Sequence, residues 1–177
     1  MADFTEHQLA SESIFSGRLL DVRKDKVRLP DGREAAREYI VHPGAVMVLP
    51  LFDDGSILIE RQYRYAMRRH FYELPAGKIE GGEDDLATAQ RELLEETGYI
   101  AQSWRHLLTI HPCIAYSTER IELYLARELS FVGHTGEDGE FLETLQLPQT
   151  EAWEWLRNGK ISDAKTIIAL LWLKTAQ

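Results

Sequence analysis

Residues Gly77–Tyr99 read GKIEGGEDDLATAQRELLEETGY, and their acidic side chains are the first in the chain whose spacing could do chemistry. On an α-helix, Glu92, Glu95 and Glu96 fall within an arc of about 100°. Leu86, Leu93 and Thr97 point to the other side. One face therefore packs and the other presents three carboxylates. Glu92 and Glu96 lie four apart, and such like-charged pairs destabilise a bare helix by about 0.2–0.5 kcal/mol. A hard cation such as Mg²⁺ would relieve that repulsion and prefers oxygen ligands. Gly77, Gly81 and Gly82 precede the helix, so backbone there could approach a ligand or lend a carbonyl to a metal.

An acidic helix face alone is ordinary solvated surface. The spacing sets this one apart. Six residues separate Gly77 from Glu83 and eight more lead to Arg91, which opens Arg91-Glu92-Leu93-x-Glu95-Glu96-x-Gly98. This pattern resembles the Nudix box at every fixed position. Tyr99 departs from it, an aromatic at a packing position that is usually aliphatic.

The resemblance implies a Nudix hydrolase, which splits a nucleoside diphosphate from another group using Mg²⁺ or Mn²⁺. By position, Glu92 and Glu96 would be metal ligands, with Glu95 a ligand or catalytic partner and the Ala76 carbonyl completing the shell. Arg91 would orient the carboxylates through charge-assisted hydrogen bonds. Glu83 would be more structural than chemical. The chemistry is coherent, because metal ions neutralise a diphosphate and activate water, and a carboxylate can then take the proton.

The rest of the chain bears on the substrate. Residues 15–76, 111–126 and 158–173 resemble the ADP-ribose pyrophosphatase branch, whose scaffold also serves sugar-nucleotide hydrolases. By that match, Arg37 and Glu38 would reach the adenine side, from the same subunit or its partner. Arg64 would contact phosphate or ribose, and Glu119 the terminal ribose hydroxyls. The branch usually carries Ser-Pro-Gly before this Glu, whereas this chain has Cys113-Ile114-Ala115 with its proline at Pro112. That departure keeps GDP-mannose and other nucleoside-diphosphate sugars open as substrates. A silent nucleotide-binding regulatory module is the other alternative; the retained Arg91, Glu92, Glu95 and Glu96 argue against it. Gly136–Glu143 resembles the family's late catalytic loop, with Glu140 the first choice of base or extra ligand, then Glu137 and Asp138.

Other candidates read as structural. Cys113 is expected to be a buried cysteine near a strand end. Trp153, Trp155 and Trp172 are expected in core or dimer packing. His42, His70 and His106 lack metal-ligand spacing and are read as structural or exposed.

Several elements must position these groups. Ser16–Leu29 reads as one or two strands, Asp31-Gly32 as a turn and Arg37–Val41 as the returning strand of a hairpin. Ala45–Phe52 is an unbroken apolar run, as in a buried strand. Asp53-Asp54-Gly55 turns into Ser56–Gln62. Glu83–Thr97 reads as helix, stopped by Gly98. Strands follow around His106–His111, Arg120–Ala126 and Phe141–Leu147. Thr150–Arg157 is a short helix, and Ser162 or Asp163 caps a last one running through Ile167, Leu170 and Trp172. Mixed strands and helices indicate an α/β or α+β sheet sandwiched by helices. The resemblance makes it an α/β/α sandwich with a mixed sheet, residues 44–177, preceded by an N-terminal β-hairpin region, residues 1–43, that would dimerise.

The totals agree. A chain of 177 residues, 44% of them hydrophobic, suits one domain with a sizeable core. Twenty basic and 29 acidic residues give a net charge of −9, which disfavours nucleic-acid and anionic-membrane partners. A small phosphorylated substrate stays compatible, since metal ions and local arginines can reverse the field in one cleft. The polar N-terminus lacks signal-peptide character, and no apolar run reaches about 18 residues. With Cys113 the lone cysteine, a reducing, cytoplasmic location is expected.

Overall fold

Strand β4 (Ala45–Pro50) is buried along its whole length, and its alternating side chains join two cores. Val46 and Val48 pack with Ile79, Ala89 and Leu93 under helix α1 (Asp85–Thr97). Met47 and Leu49 turn the other way into the larger core. The computed structural model that shows this describes residues 1–133 and 141–175.

β4 lies in a mixed four-stranded sheet. It pairs in parallel with β9 (Ile121–Phe131) and antiparallel with the short β7 (Ala76–Lys78). β8 (Tyr99–Ile110) completes the sheet beside β9. A second sheet has β5 (Ile57–Arg64) between β6 (Arg69–Glu73) and β10 (Leu142–Leu147). Ile57 and Ile59 from this sheet join the larger core, as do Ala152 of helix α2 (Gln149–Arg157) and Leu170 of helix α3 (Ala164–Thr175). The expected α/β sandwich with a mixed sheet is observed. Strands β6 and β7 were not foreseen; they are short, and β6 is mostly charged or aromatic.

Helix α1 starts two residues later than expected, at Asp85 rather than Glu83. Asp84 is its N-cap, accepting from Leu86 N at 3.0 Å and Ala87 N at 3.2 Å. Such a cap contributes about 1 kcal/mol. Gly98 ends it at φ 73°, and a Cβ there would sit 2.7 Å from the Phe131 ring. Its packing face also differs from the sequence reading: Thr88, Ala89, Leu93 and Thr97 are buried, while Leu86 and Leu94 are half-buried.

The N-terminal hairpin is corrected to a three-stranded antiparallel sheet of β1 (His7–Ser16), β2 (Asp21–Arg28) and β3 (Glu34–Val41). β1 escaped the sequence reading because it has no buried face and hence no alternation to detect. The end of β3 is stitched to the segment before β9. Ile40 N donates to Tyr116 O at 2.8 Å, and Thr118 N donates to Ile40 O at 3.0 Å. The three C-terminal tryptophans Trp153, Trp155 and Trp172 pack against the larger core. Cys113 is half-buried in a run of turns rather than buried at a strand end. Among the described residues no helix is long and apolar enough to cross a membrane.

Candidate active site

A cavity of about 360 Å³ opens along the first turns of β7 and the acidic face of α1. Glu92, Glu95 and Glu96 line it from the helix, and Ala76 and Gly77 from the strand. Arg18, Arg64, Lys78 and Arg91 bring positive charge to the same walls.

The three carboxylates are held differently. Glu96 is only 8% exposed, which corrects the picture of three carboxylates on one open face. Its Oε2 accepts the Ala76 N–H at 3.0 Å, tying helix to strand. Glu92 lies against Gly77, where a Cβ would come within 1.9 Å of its carboxylate. Only glycine leaves that space. Arg91 meets Glu92 at 2.9 Å and donates to Glu95 at 2.8 Å. Its Nε and Nη2 also donate to the two oxygens of Glu83, at 3.1 and 3.2 Å. These bonds raise the Arg91 guanidinium above its ordinary value, Glu83 contributing most. The same contact, with one from Thr88, holds the Glu83 carboxyl below the usual range.

The Glu92 and Glu96 carboxylates offer oxygen ligands, the chemistry a hard cation needs. Among the described residues, no three His, Cys, Asp or Glu side chains already form a closed metal cage. That is compatible with Mg²⁺, which is usually bound by one or two carboxylates, waters and substrate phosphates.

A second cavity, about 330 Å³, adjoins the first and shares Arg64, Ala76, Gly77 and Lys78 with it. His42, Pro112, Glu119 and Lys165 line its far side. The His42 Nδ1 accepts the Gly44 N–H at 3.1 Å, so Nε2 carries the proton of the neutral ring. That nitrogen faces Glu119 Oε1 at 3.9 Å.

Residues 41–170 of this chain match the NUDIX domain family, and residues 6–40 match the nucleoside diphosphate sugar hydrolase N-terminal domain. The chain belongs to the Nudix hydrolase family. An ADP-ribose pyrophosphatase of Bacillus subtilis (strain 168) is 36% identical, over 98% of this chain and 95% of its own length. A methanol dehydrogenase activator of Bacillus methanolicus is 37% identical, over 97% and 94%. The crystal structure of an ADP compounds hydrolase superposes with a TM-score of 0.88, covering 99% of this chain and 96% of that one. At 22% identity it speaks for the fold. The chain is thus a Nudix pyrophosphohydrolase of the ADP-ribose pyrophosphatase-like branch.

In this Nudix fold, Ala76, Arg91, Glu92, Glu95 and Glu96 come together at the first cavity, and Arg64 and Glu119 meet at the second. Arg37 and Glu38 are brought to neither. Arg37 pairs with Glu6, and Glu38 lies 3.5 Å from Lys24 across the N-terminal sheet. Glu137, Asp138 and Glu140 lie outside the described residues.

Sequence reasoning passed over Arg18, Lys78 and His42. Arg18 sits between strands with no periodic signal, and Lys78 is hidden in the variable interior of the Nudix box. His42 was judged by metal-ligand spacing, which misses a histidine that works through hydrogen bonds.

Proposed function

We propose that this chain hydrolyses ADP-ribose to AMP and ribose 5-phosphate with Mg²⁺ (or Mn²⁺) as cofactor. The observation that carries the reading is the pair of adjoining cavities. One is lined by carboxylates and cations; the other holds Glu119 and His42; Arg64 belongs to both. A nucleoside diphosphate conjugate has the matching layout, an anionic centre with a hydroxyl-rich arm. The ADP-ribose pyrophosphatase of Bacillus subtilis supports the choice of conjugate.

Glu92, Glu96 and the Ala76 carbonyl would hold the cation, with Glu95 beside them. When bound, a divalent cation supplies positive charge against the diphosphate and acidifies water. The chain's own residues do the rest. Arg91 holds Glu95 and Glu92 in place, so Glu95 is an oriented metal ligand or catalytic partner. Glu140 is the first choice of base or extra ligand, then Glu137 and Asp138. Arg64 meets the diphosphate, and Glu119 accepts from sugar hydroxyls. Arg37 and Glu38 line neither cavity, so a partner subunit is the favoured route by which they would reach the adenine side.

The N-terminal sheet supports a homodimer. All ten residues of β1 are exposed, Leu9, Ile14 and Phe15 among them. Exposed apolar side chains of this kind suit a second copy of the chain. The lone cysteine suits a cytoplasmic setting.

A second reading, hydrolysis of GDP-mannose or another nucleoside-diphosphate sugar, is favoured by one feature. Cys113-Ile114-Ala115 replaces the branch's usual Ser-Pro-Gly, and Ile114 is exposed there. The test is a panel of nucleoside diphosphate conjugates with Mg²⁺, scored by product. AMP release from ADP-ribose among the leading activities supports the proposal. Preference for a guanine or uracil conjugate sinks the ADP-ribose assignment and keeps the reaction class.

A further inference from the structure

Glu73 stands at the end of β6, outside the Nudix box. Its side chain is only 6% exposed. A buried carboxylate is costly unless its oxygens are paired. Here both are. Arg64 Nε donates to Oε1 and Nη2 to Oε2, each at 2.7 Å, a bidentate fork. Lys165 Nζ donates to Oε2 as well, at 2.5 Å.

The chain of contacts continues into helix α3. Lys165 lies 3.0 Å from Asp163. Asp163 Oδ2 accepts from Thr166 N and Oγ1, which caps the helix. Thr166 Oγ1 in turn accepts the Leu74 N–H at 3.0 Å. The start of α3 and the end of β6 are thus one hydrogen-bonded body, with Glu73 at its centre.

Arg64 differs from the rest of this body. Its side chain is 45% exposed and lines both cavities. Glu73 takes one hydrogen each from Nε and Nη2, so the Nη1 hydrogens and the second one on Nη2 are left to meet a ligand. A long arginine at a strand end would otherwise sample many rotamers. A bidentate partner that is itself fixed on two sides removes that freedom before binding.

We propose that Glu73 is a positioning residue: braced by Lys165, it fixes the Arg64 guanidinium at the seam of the two cavities for the substrate's diphosphate. This rests on reading the site as one for nucleoside diphosphate conjugates. It adds that the selectivity for a diphosphate at the seam depends on a residue that touches no substrate.

A double-mutant cycle tests it. Arg64→Ala, Glu73→Gln and the double variant are compared with the intact chain for kcat and KM on ADP-ribose, and for calorimetric affinity for ADP. Arg64→Ala and Glu73→Gln should each raise KM by about tenfold, the loss of one charge-assisted contact, with a smaller change in kcat. The double variant should be no worse than Arg64→Ala, because Glu73 acts only through Arg64. An unchanged KM in Glu73→Gln, or effects that multiply in the double variant, overturns the proposal; a purely structural Glu73 would multiply. If Glu73→Gln does not fold, Glu73→Asp replaces it. Its shorter arm still balances Lys165 and releases the fork, and the same two outcomes decide. Should ADP-ribose not be turned over by the intact chain, the substrate reading fails, and the cycle in ADP affinity still decides the role of Glu73. No affinity of the intact chain for ADP overturns both.

Discussion

The acidic face of α1 and the N-terminal sheet are both rich in charge, and they are built in opposite ways. Around α1, Glu96 is bonded to Ala76 N, Glu92 rests on Gly77, and Arg91 grips Glu83 and Glu95. Glu96 and Arg91 each have a fixed partner outside the helix, and Arg91 in turn holds Glu95. In the N-terminal sheet, β1 is exposed throughout, and its pairs, such as Lys24 with Glu38, lie at the surface. Surface pairs contribute little to stability. The contrast fits the two tasks proposed for these regions. Chemistry needs groups whose positions are set before substrate arrives, whereas a surface that docks a second chain needs apolar area still open to water.

The largest expected effect attacks the fixed region. Glu96→Gln keeps an oxygen that can accept the Ala76 N–H, so the fold should survive. Its lost charge should cut turnover roughly a thousandfold, several kcal/mol of metal-borne stabilisation at about 1.4 kcal/mol per tenfold. Near-normal turnover with a normal melting curve would remove Glu96 from the metal set. Next comes Gly77→Ala. Its methyl must push the Glu92 carboxylate away from a 1.9 Å clash. A displacement near 1 Å at a reacting site costs about a hundredfold. Single-turnover kinetics should show that loss; if they do not, the close approach of Glu92 to Gly77 has no role.

The open region should answer differently. Phe15→Ser removes an exposed ring from β1. Burying such a ring in an interface is worth about 1.5–3 kcal/mol, so dimer dissociation should strengthen by at least about tenfold. Light scattering at micromolar concentration reads this out, and a monomeric intact chain would contradict the assignment. The smallest effect is confined to acid. Burial would raise the Glu73 carboxyl, yet the Arg64 hydrogen bond and the Lys165 charge outweigh it and hold it below the usual range. The unfolded chain therefore takes up that proton first as pH falls. The stabilisation is complete above the ordinary carboxylate range and is lost as pH drops through the lower folded value. Acid titration of the melting temperature should fall less steeply for Glu73→Gln between those two values; parallel curves would show that Glu73 is not the group responsible.

Much of the fold was legible because burial leaves a pattern. The run Ala45–Phe52 announced a buried strand, and Asp84 and Gly98 bracket a helix whose spacing was already clear. β1 was not legible, since an exposed strand carries no alternation. The box told which residues cluster, because helical spacing is local. It did not tell that Glu96 would be drawn inward, since its partner, the Ala76 N–H, sits on another element.

By itself, the sequence determined the family, the reaction class and the carboxylate-bearing helix, all of which follow from spacing within one segment. The tertiary structure decided what depends on distant segments meeting. It put Arg64, from β5, between two cavities and locked it to Glu73, which Lys165 braces. It set His42 opposite Glu119, and it left Arg37 and Glu38 out of the lining of either cavity. Contacts across the chain are fixed by packing and register, and no local pattern of residues encodes them.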